Sequence, residues 1–161
     1  MPSEKTILVT RPKGDEKILT DLLHARNYRV IHEPLTNIYL HHTKRQEVRN
    51  ALLEEPDAII VTSRHGVGAL AFLSEVRDPY LICVGESTAK AAQSLGFDRI
   101  SVAGGNVEKL IDTIASSYDE DARFLYISGE HIRLDIGEAL AGKGMQVQRI
   151  AAYEAIASER L

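Results

Sequence analysis

Five apolar runs in this chain stop on small polar residues that then open a helical pattern. Ile7-Leu8-Val9 stops on Thr10-Arg11-Pro12, Ala58-Ile59-Ile60-Val61 on Thr62-Ser63, and Leu81-Ile82-Cys83-Val84 on Gly85-Glu86-Ser87-Thr88. Val102-Ala103 stops on Gly104-Gly105-Asn106, and Phe124-Leu125-Tyr126-Ile127 on Ser128-Gly129-Glu130. Helix starts carry unpaired N–H groups and a partial positive charge. A parallel sheet would set all such endings along one edge, where ligands collect. The expectation is a row of donors suited to an anionic, multi-armed ligand. Capping accounts for any single turn, because Ser, Thr and Asn are preferred caps everywhere; the argument for function lies in their number. Arg11 could clamp a carboxylate in bidentate fashion, or form an ordinary surface ion pair. Tyr153, in Tyr-Glu-Ala just after the last expected strand, could give a proton or hydrogen bond to a leaving oxygen. The plainer reading is a packed tyrosine with a wet hydroxyl. Asp135 is placed to favour a helix start.

Other chemistries lack their residues. Six histidines invite a metal site, but His41-His42 are adjacent and no His-Glu-x-x-His or cysteine pair exists. Ser63 and His65 lie in Thr-Ser-Arg-His-Gly, without the Gly-x-Ser-x-Gly elbow or an indicated acid partner. The glycine turns are neither Gly-x-Gly-x-x-Gly nor a P-loop. A receiver-type phosphorylation site would need acidic strand ends, and these are Thr, Ser and Gly. A net charge of −4 argues against a nucleic-acid partner, which needs a basic surface. No apolar stretch approaches the length of a membrane span, and Met1-Pro2-Ser3-Glu4-Lys5 has no secretory apolar core. One cysteine, Cys83, permits no disulfide within the chain and fits a reducing cytoplasm.

The elements that must position these residues alternate in period. Strands are expected at Thr6–Thr10, Tyr28–Ile31, from Ile38 to Leu40, and at Ala58–Val61, Tyr80–Val84, Arg99–Val102, Arg123–Ile127 and Met145–Ile150. Helices are expected over Asp15–Arg26, Lys44–Leu53, Arg64–Leu73, Ser87–Leu95, Val107–Tyr118 and Arg133–Ala141, with Gly96 just past the fourth. Such alternation predicts an α/β fold, a parallel sheet sandwiched by helices with right-handed crossovers. A soft boundary lies near Pro34–Asn37. The βαβ unit before it cannot bury both of its faces alone.

Read in order, Ile7-Leu8-Val9-Thr10-Arg11-Pro12, Glu33-Pro34-Leu35, Val61-Thr62-Ser63-Arg64-His65-Gly66-Val67, Cys83-Val84-Gly85-Glu86-Ser87-Thr88-Ala89 with Leu95-Gly96-Phe97, Ile127 to Asp135, and Ala152-Tyr153-Glu154-Ala155 resemble the uroporphyrinogen-III synthase family. The resemblance implies two α/β domains joined by two crossing strands, with the substrate between them. It implies cyclisation of hydroxymethylbilane, an anionic linear tetrapyrrole, with loss of water and inversion of the last pyrrole ring through a spiro intermediate, without metal or cofactor. Tyr153 matches the tyrosine proposed in the family to assist departure of the hydroxyl. Ser63 and Thr88 match hydroxyl positions lining the cleft, and Thr62, Ser87 and Gly129 sit beside such positions as possible backbone donors.

On that reading, residues 1–36 are a partial first domain, 37–152 a complete second α/β domain, and 153–161 a return crossover toward the first. Family members continue past the tyrosine, so these 161 residues are expected to hold half of the cleft and to show little or no synthase activity alone. A second copy, forming a homodimer, is the expected cover for the incomplete domain. The competing function is a non-catalytic small-anion binding or interaction module on the same fold.

Overall fold

The computed structural model describes residues 5–159. Readings that fall on Met1–Glu4 and on Arg160–Leu161 lie outside them. In chain order the elements are β1 (Thr6–Val9), α1 (Lys17–His24), β2 (Arg29–His32), β3 (Thr36–Leu40), a single 3-10 turn (His42–Lys44), α2 (Arg45–Leu53), β4 (Ala58–Val61), α3 (Arg64–Leu73), β5 (Leu81–Cys83), α4 (Glu86–Ser94), β6 (Ile100–Val102), α5 (Val107–Ser117), β7 (Arg123–Gly129), α6 (Ile136–Ala141) and β8 (Gln146–Ala157). The fold is α/β, a mostly parallel sheet flanked by helices. Among the described residues no helix is long and apolar enough to cross a membrane.

The chain divides into two units. One runs to Tyr39 and resumes at Ala155; the other is Leu40–Glu154. The changeovers fall inside β3 and β8, so these two strands carry the chain from one unit to the other.

In the first unit β1 and β2 pair in parallel, from Thr6↔Arg29 to Val9↔His32. Helix α1 is shorter at both ends than its apolar spacing predicts. Glu16 precedes it without a side-chain cap, and Asn27 takes a left-handed φ of 59° that turns the chain into β2. Leu8 and Ile31 are register partners and both are exposed, so that face of the pair is uncovered.

The large sheet has the order β3-β8-β7-β4-β5-β6. Ala58–Val61 is its central strand, and each of its residues is buried, as expected for a parallel strand covered on both faces. From β4 the chain winds outward through β5 to β6, then crosses back to form β7 on the other side of β4. Helices α3 and α4 pack together, as do α5 and α6. The strand order therefore reverses between β4 and β7, and in sheets of this kind ligands bind at the carboxyl edge beside such a reversal. Beneath that edge, Ile60, Phe124 and Tyr126 pack with Leu110, Ile114 and Leu140.

Several sequence expectations change. The five strand ends do not share one edge: β1 pairs with β2 in a separate sheet, which takes Thr10-Arg11-Pro12 away from the row. The large sheet is not wholly parallel. His41 N–H donates to Ala152 O and Ser158 N–H to Leu35 O, at 2.9 Å each, so β3 runs antiparallel to β8. Helix α6 starts at Ile136 rather than Arg133, because Asp135 accepts a hydrogen bond from Glu138 N–H and caps it. β8 does not end near Ile150. Its pairing with β3 carries it to Ala157, so Tyr153 lies within a strand and not beyond one.

Candidate functional site

The carboxyl ends of β4 and β7 are shaped by local rules on each side. Ser63 follows β4 by two residues and caps α3, accepting Gly66 N–H at 3.2 Å. Because residue 66 is glycine, α3 approaches β7 closely; a Cβ there would stand 3.0 Å from Ile127 O. On the other side β8 follows β7 in register up to Ser128↔Ala151, and the next pair is Gly129↔Tyr153. Ala152 is thus an extra residue, a β-bulge of the kind that re-aims the following side chain. Tyr153 then lies directly on Gly129: a Cβ at 129 would sit 3.0 Å from Cε2 and 3.1 Å from Cζ.

The outcome is a hydrogen bond of 2.8 Å between Tyr153 Oη and Ser63 Oγ, 90 residues apart in sequence. Two proton arrangements satisfy it. If Ser63 donates, the phenol keeps its own proton for another acceptor; if the phenol donates, Ser63 holds it at the mouth of α3. The His65 ring lies 5.9 Å from the Tyr153 ring. Tyr153 is 9% exposed, which leaves only an edge of it for solvent or ligand.

Around this pair the strand ends are polar. Thr62 Oγ1 is 3.3 Å from Tyr126 Oη, and burial pushes the Tyr126 phenol above its ordinary value, so it stays a neutral hydroxyl at neutral pH. Arg64 Nη2 donates to Ser87 Oγ at 2.8 Å, linking the starts of α3 and α4. Gly104 and Gly105 turn the chain with φ of 87° and 98°, which only glycine accepts readily. Glu130 N–H donates to Tyr153 O at 2.9 Å. His41 Nε2 is 3.2 Å from Glu130 Oε1 but outside hydrogen-bond alignment, an ion-pair distance only.

The structure brings Ser63, Gly129 and Tyr153 into direct contact, and places Thr62 and Ser87 on the same carboxyl edge. Ser87 and Thr88 do not cap α4; Gly85 does, and they fall in its first turn. Thr88 is buried and Ser87 exposed. Arg11 follows β1 in the other unit and belongs to the other sheet, so it is not part of this edge. Sequence reasoning missed Tyr126 and Arg149, whose roles depend on strand partners. A cavity of about 430 Å³ lies at the opposite edge, among Leu52, Leu53, Pro56, Val76, Tyr80 and Arg99. It contains none of the residues above, so convergence of polar groups, not enclosed volume, marks the site. Among the described residues no group of three or more His, Cys, Asp or Glu side chains could hold a metal ion.

The family profile described as "Uroporphyrinogen-III synthase HemD" matches residues 17–161. A mutant uroporphyrinogen III synthase from the extremely thermophilic bacterium Thermus thermophilus superposes with a TM-score of 0.63 at 15% identity, covering 96% of this chain and 64% of its own. The wild-type enzyme gives 0.58 at 16% identity, with 96% and 63% covered. A further Thermus thermophilus structure gives 0.55 at 17%, with 96% and 64% covered. At such identity the likeness establishes the fold. The chain spans just under two thirds of the length of these structures. A search of curated proteins gave no significant match.

Proposed function

The chain belongs to the uroporphyrinogen-III synthase family, and from that premise we propose that it carries the Tyr153-bearing part of a site that cyclises hydroxymethylbilane with loss of water and inversion of the last pyrrole ring. The observation that carries this reading is the Tyr153–Ser63 hydrogen bond at the topological switch point of the sheet. In this reading the Tyr153 phenol gives a hydrogen bond to the departing hydroxyl. Ser63 and the first turn of α3 orient it, and a neutral phenol is the form that can donate. Thr62, Ser87, Thr88 and Gly129 supply hydroxyl and main-chain groups for the carboxylate arms. Catalysis is then mostly conformational: the flexible substrate closes without inversion in free solution, and distributed hydrogen bonds hold it curled for the inverted closure.

The buried Cys83 thiol agrees with residence in a reducing cytoplasm. A second copy over the exposed Leu8 and Ile31 face is the proposed partner. The test is a thermal shift of the 161-residue chain with a carboxylate-armed tetrapyrrole and, separately, with inorganic phosphate, followed by analysis of hydroxymethylbilane products. Stabilisation by the tetrapyrrole alone supports the reading. Equal stabilisation by both supports a general small-anion module instead, and the absence of stabilisation by the tetrapyrrole overturns the reading.

A further inference from the structure

We propose that Arg149 is a positioning residue for Tyr153, bracing the strand end on which the phenol ring rests; this rests on the functional reading above only for its consequence in turnover. Arg149 projects from β8 opposite Tyr126, yet its guanidinium reaches past that partner to the carboxyl end of β7. Nε donates to Ser128 Oγ at 2.8 Å, and Nη2 donates to Gly129 O and Glu130 O, also at 2.8 Å. None of these acceptors is a carboxylate. An exposed arginine is ordinarily solvated or paired with an acid; this one is committed to consecutive residues of a neighbouring strand.

The reason lies in the bulge. At Ala152 the β7–β8 ladder breaks register, and a bulge locally disrupts ladder hydrogen bonds. Carbonyls there need other donors. The planar guanidinium fork supplies them with little loss of its own freedom. Ser128, 1% exposed, is drawn into the same brace and also donates to Gly129 O at 2.9 Å. The braced segment is the one that fixes the phenol: Gly129 lies against Cε2 and Cζ of Tyr153, and Glu130 N–H holds Tyr153 O. Arg149 thereby sets the height of the ring above β7 and the reach of its hydroxyl to Ser63. These bonds go to Ser128, Gly129 and Glu130 and not to the phenol oxygen, so its action runs through Gly129 and Glu130.

The experiment uses the 161-residue chain labelled with 3-fluorotyrosine, with the Tyr153 ¹⁹F resonance assigned by its loss in Tyr153→Phe. In Arg149→Gln that resonance shifts and broadens, while those of Tyr80 and Tyr118 stay in place. Arg149→Lys, which keeps a donor but loses the fork, returns it partway. A role in stability alone would lower the melting temperature without singling out this resonance. Where turnover is measured, kcat falls about tenfold with KM unchanged, the signature of a displaced group rather than a lost contact. An unmoved Tyr153 resonance in Arg149→Gln overturns the proposal; should that variant not fold, an unmoved resonance in Arg149→Lys overturns it equally. The readout is made on the free protein, so failure of tetrapyrrole stabilisation would sink the functional reading and leave this one standing.

Discussion

Gly129→Ala tests how tightly the Tyr153 ring is held. The new Cβ would lie 3.0 Å from Cε2, 3.1 Å from Cζ and 3.4 Å from Oη of Tyr153. The first two are several tenths of an ångström inside ordinary contact, so something must give way. The backbone is poorly placed to do so, because Gly129 O is held by Arg149 and Ser128. The ring must therefore retreat, and its hydroxyl bond to Ser63, 2.8 Å in the native chain, lengthens. Overpacking of this kind costs about 1–3 kcal/mol. A chain of this size loses about 2–4 °C of Tm per kcal/mol. The assay is urea denaturation and calorimetry of Gly129→Ala beside Gly68→Ala. Gly68 lies inside α3 with nothing within 4 Å of its would-be Cβ. It should be neutral or gain about 0.5–1 kcal/mol from helix propensity. If Gly129→Ala proves as stable as the native chain while its Tyr153 ¹⁹F resonance is unmoved, the contact geometry argued for the site is wrong.

Tyr153→Phe leaves the ring contacts intact but removes the Ser63 bond, so stability should fall by only about 1 kcal/mol while dehydration of hydroxymethylbilane, where measurable, slows by at least about tenfold; equal rates for the two proteins would remove Tyr153 from the chemistry. Ser63→Ala loses both the α3 cap and the phenol partner, and should cost about 1–2 kcal/mol by urea denaturation, against a negligible change if the cap is not made in solution. Burial pushes the Cys83 thiol from its ordinary 9.0 up to about 11. Its folded value is the raised one, so its contribution is complete below pH 9.0 and is lost as pH climbs toward 11. The stability gap between native chain and Cys83→Ala should therefore narrow by about 2–3 kcal/mol across that window, and a gap that stays constant in denaturation at both ends refutes the shift. Light scattering after size exclusion should give a dimer at high concentration, through cover of Leu8 and Ile31; a monomer at every concentration contradicts that cover.

How much of this was legible without coordinates depended on whether a residue's role is set by its neighbours in sequence. Ala58–Val61 and Arg64–Leu73 follow from the sequence to their end residues, since an uninterrupted apolar run, a Ser63 cap and a helical period are all local. Asp135 as a helix start was readable for the same reason, although α6 begins later than its apolar pattern suggested. The carboxyl-edge row was half legible. Thr62, Ser63 and Ser87 follow parallel strands of one sheet, but Arg11 follows a strand that had chosen a different partner.

The amino-acid order by itself determined the strand–helix alternation, the helix caps, the family pattern and the presence of a phenol near the chain's last strand. Each of these follows from backbone sterics and side-chain period within a few residues. Only the tertiary structure decided that β1 leaves the large sheet, that β8 runs on antiparallel to β3, and that a single extra residue, Ala152, turns Tyr153 onto Gly129 and within reach of Ser63. It alone revealed Tyr126 beside Thr62 and Arg149 across β7. Strand pairing and register are settled by burial and hydrogen bonding between segments tens of residues apart, and a one-residue change of register sends every side chain to the opposite face.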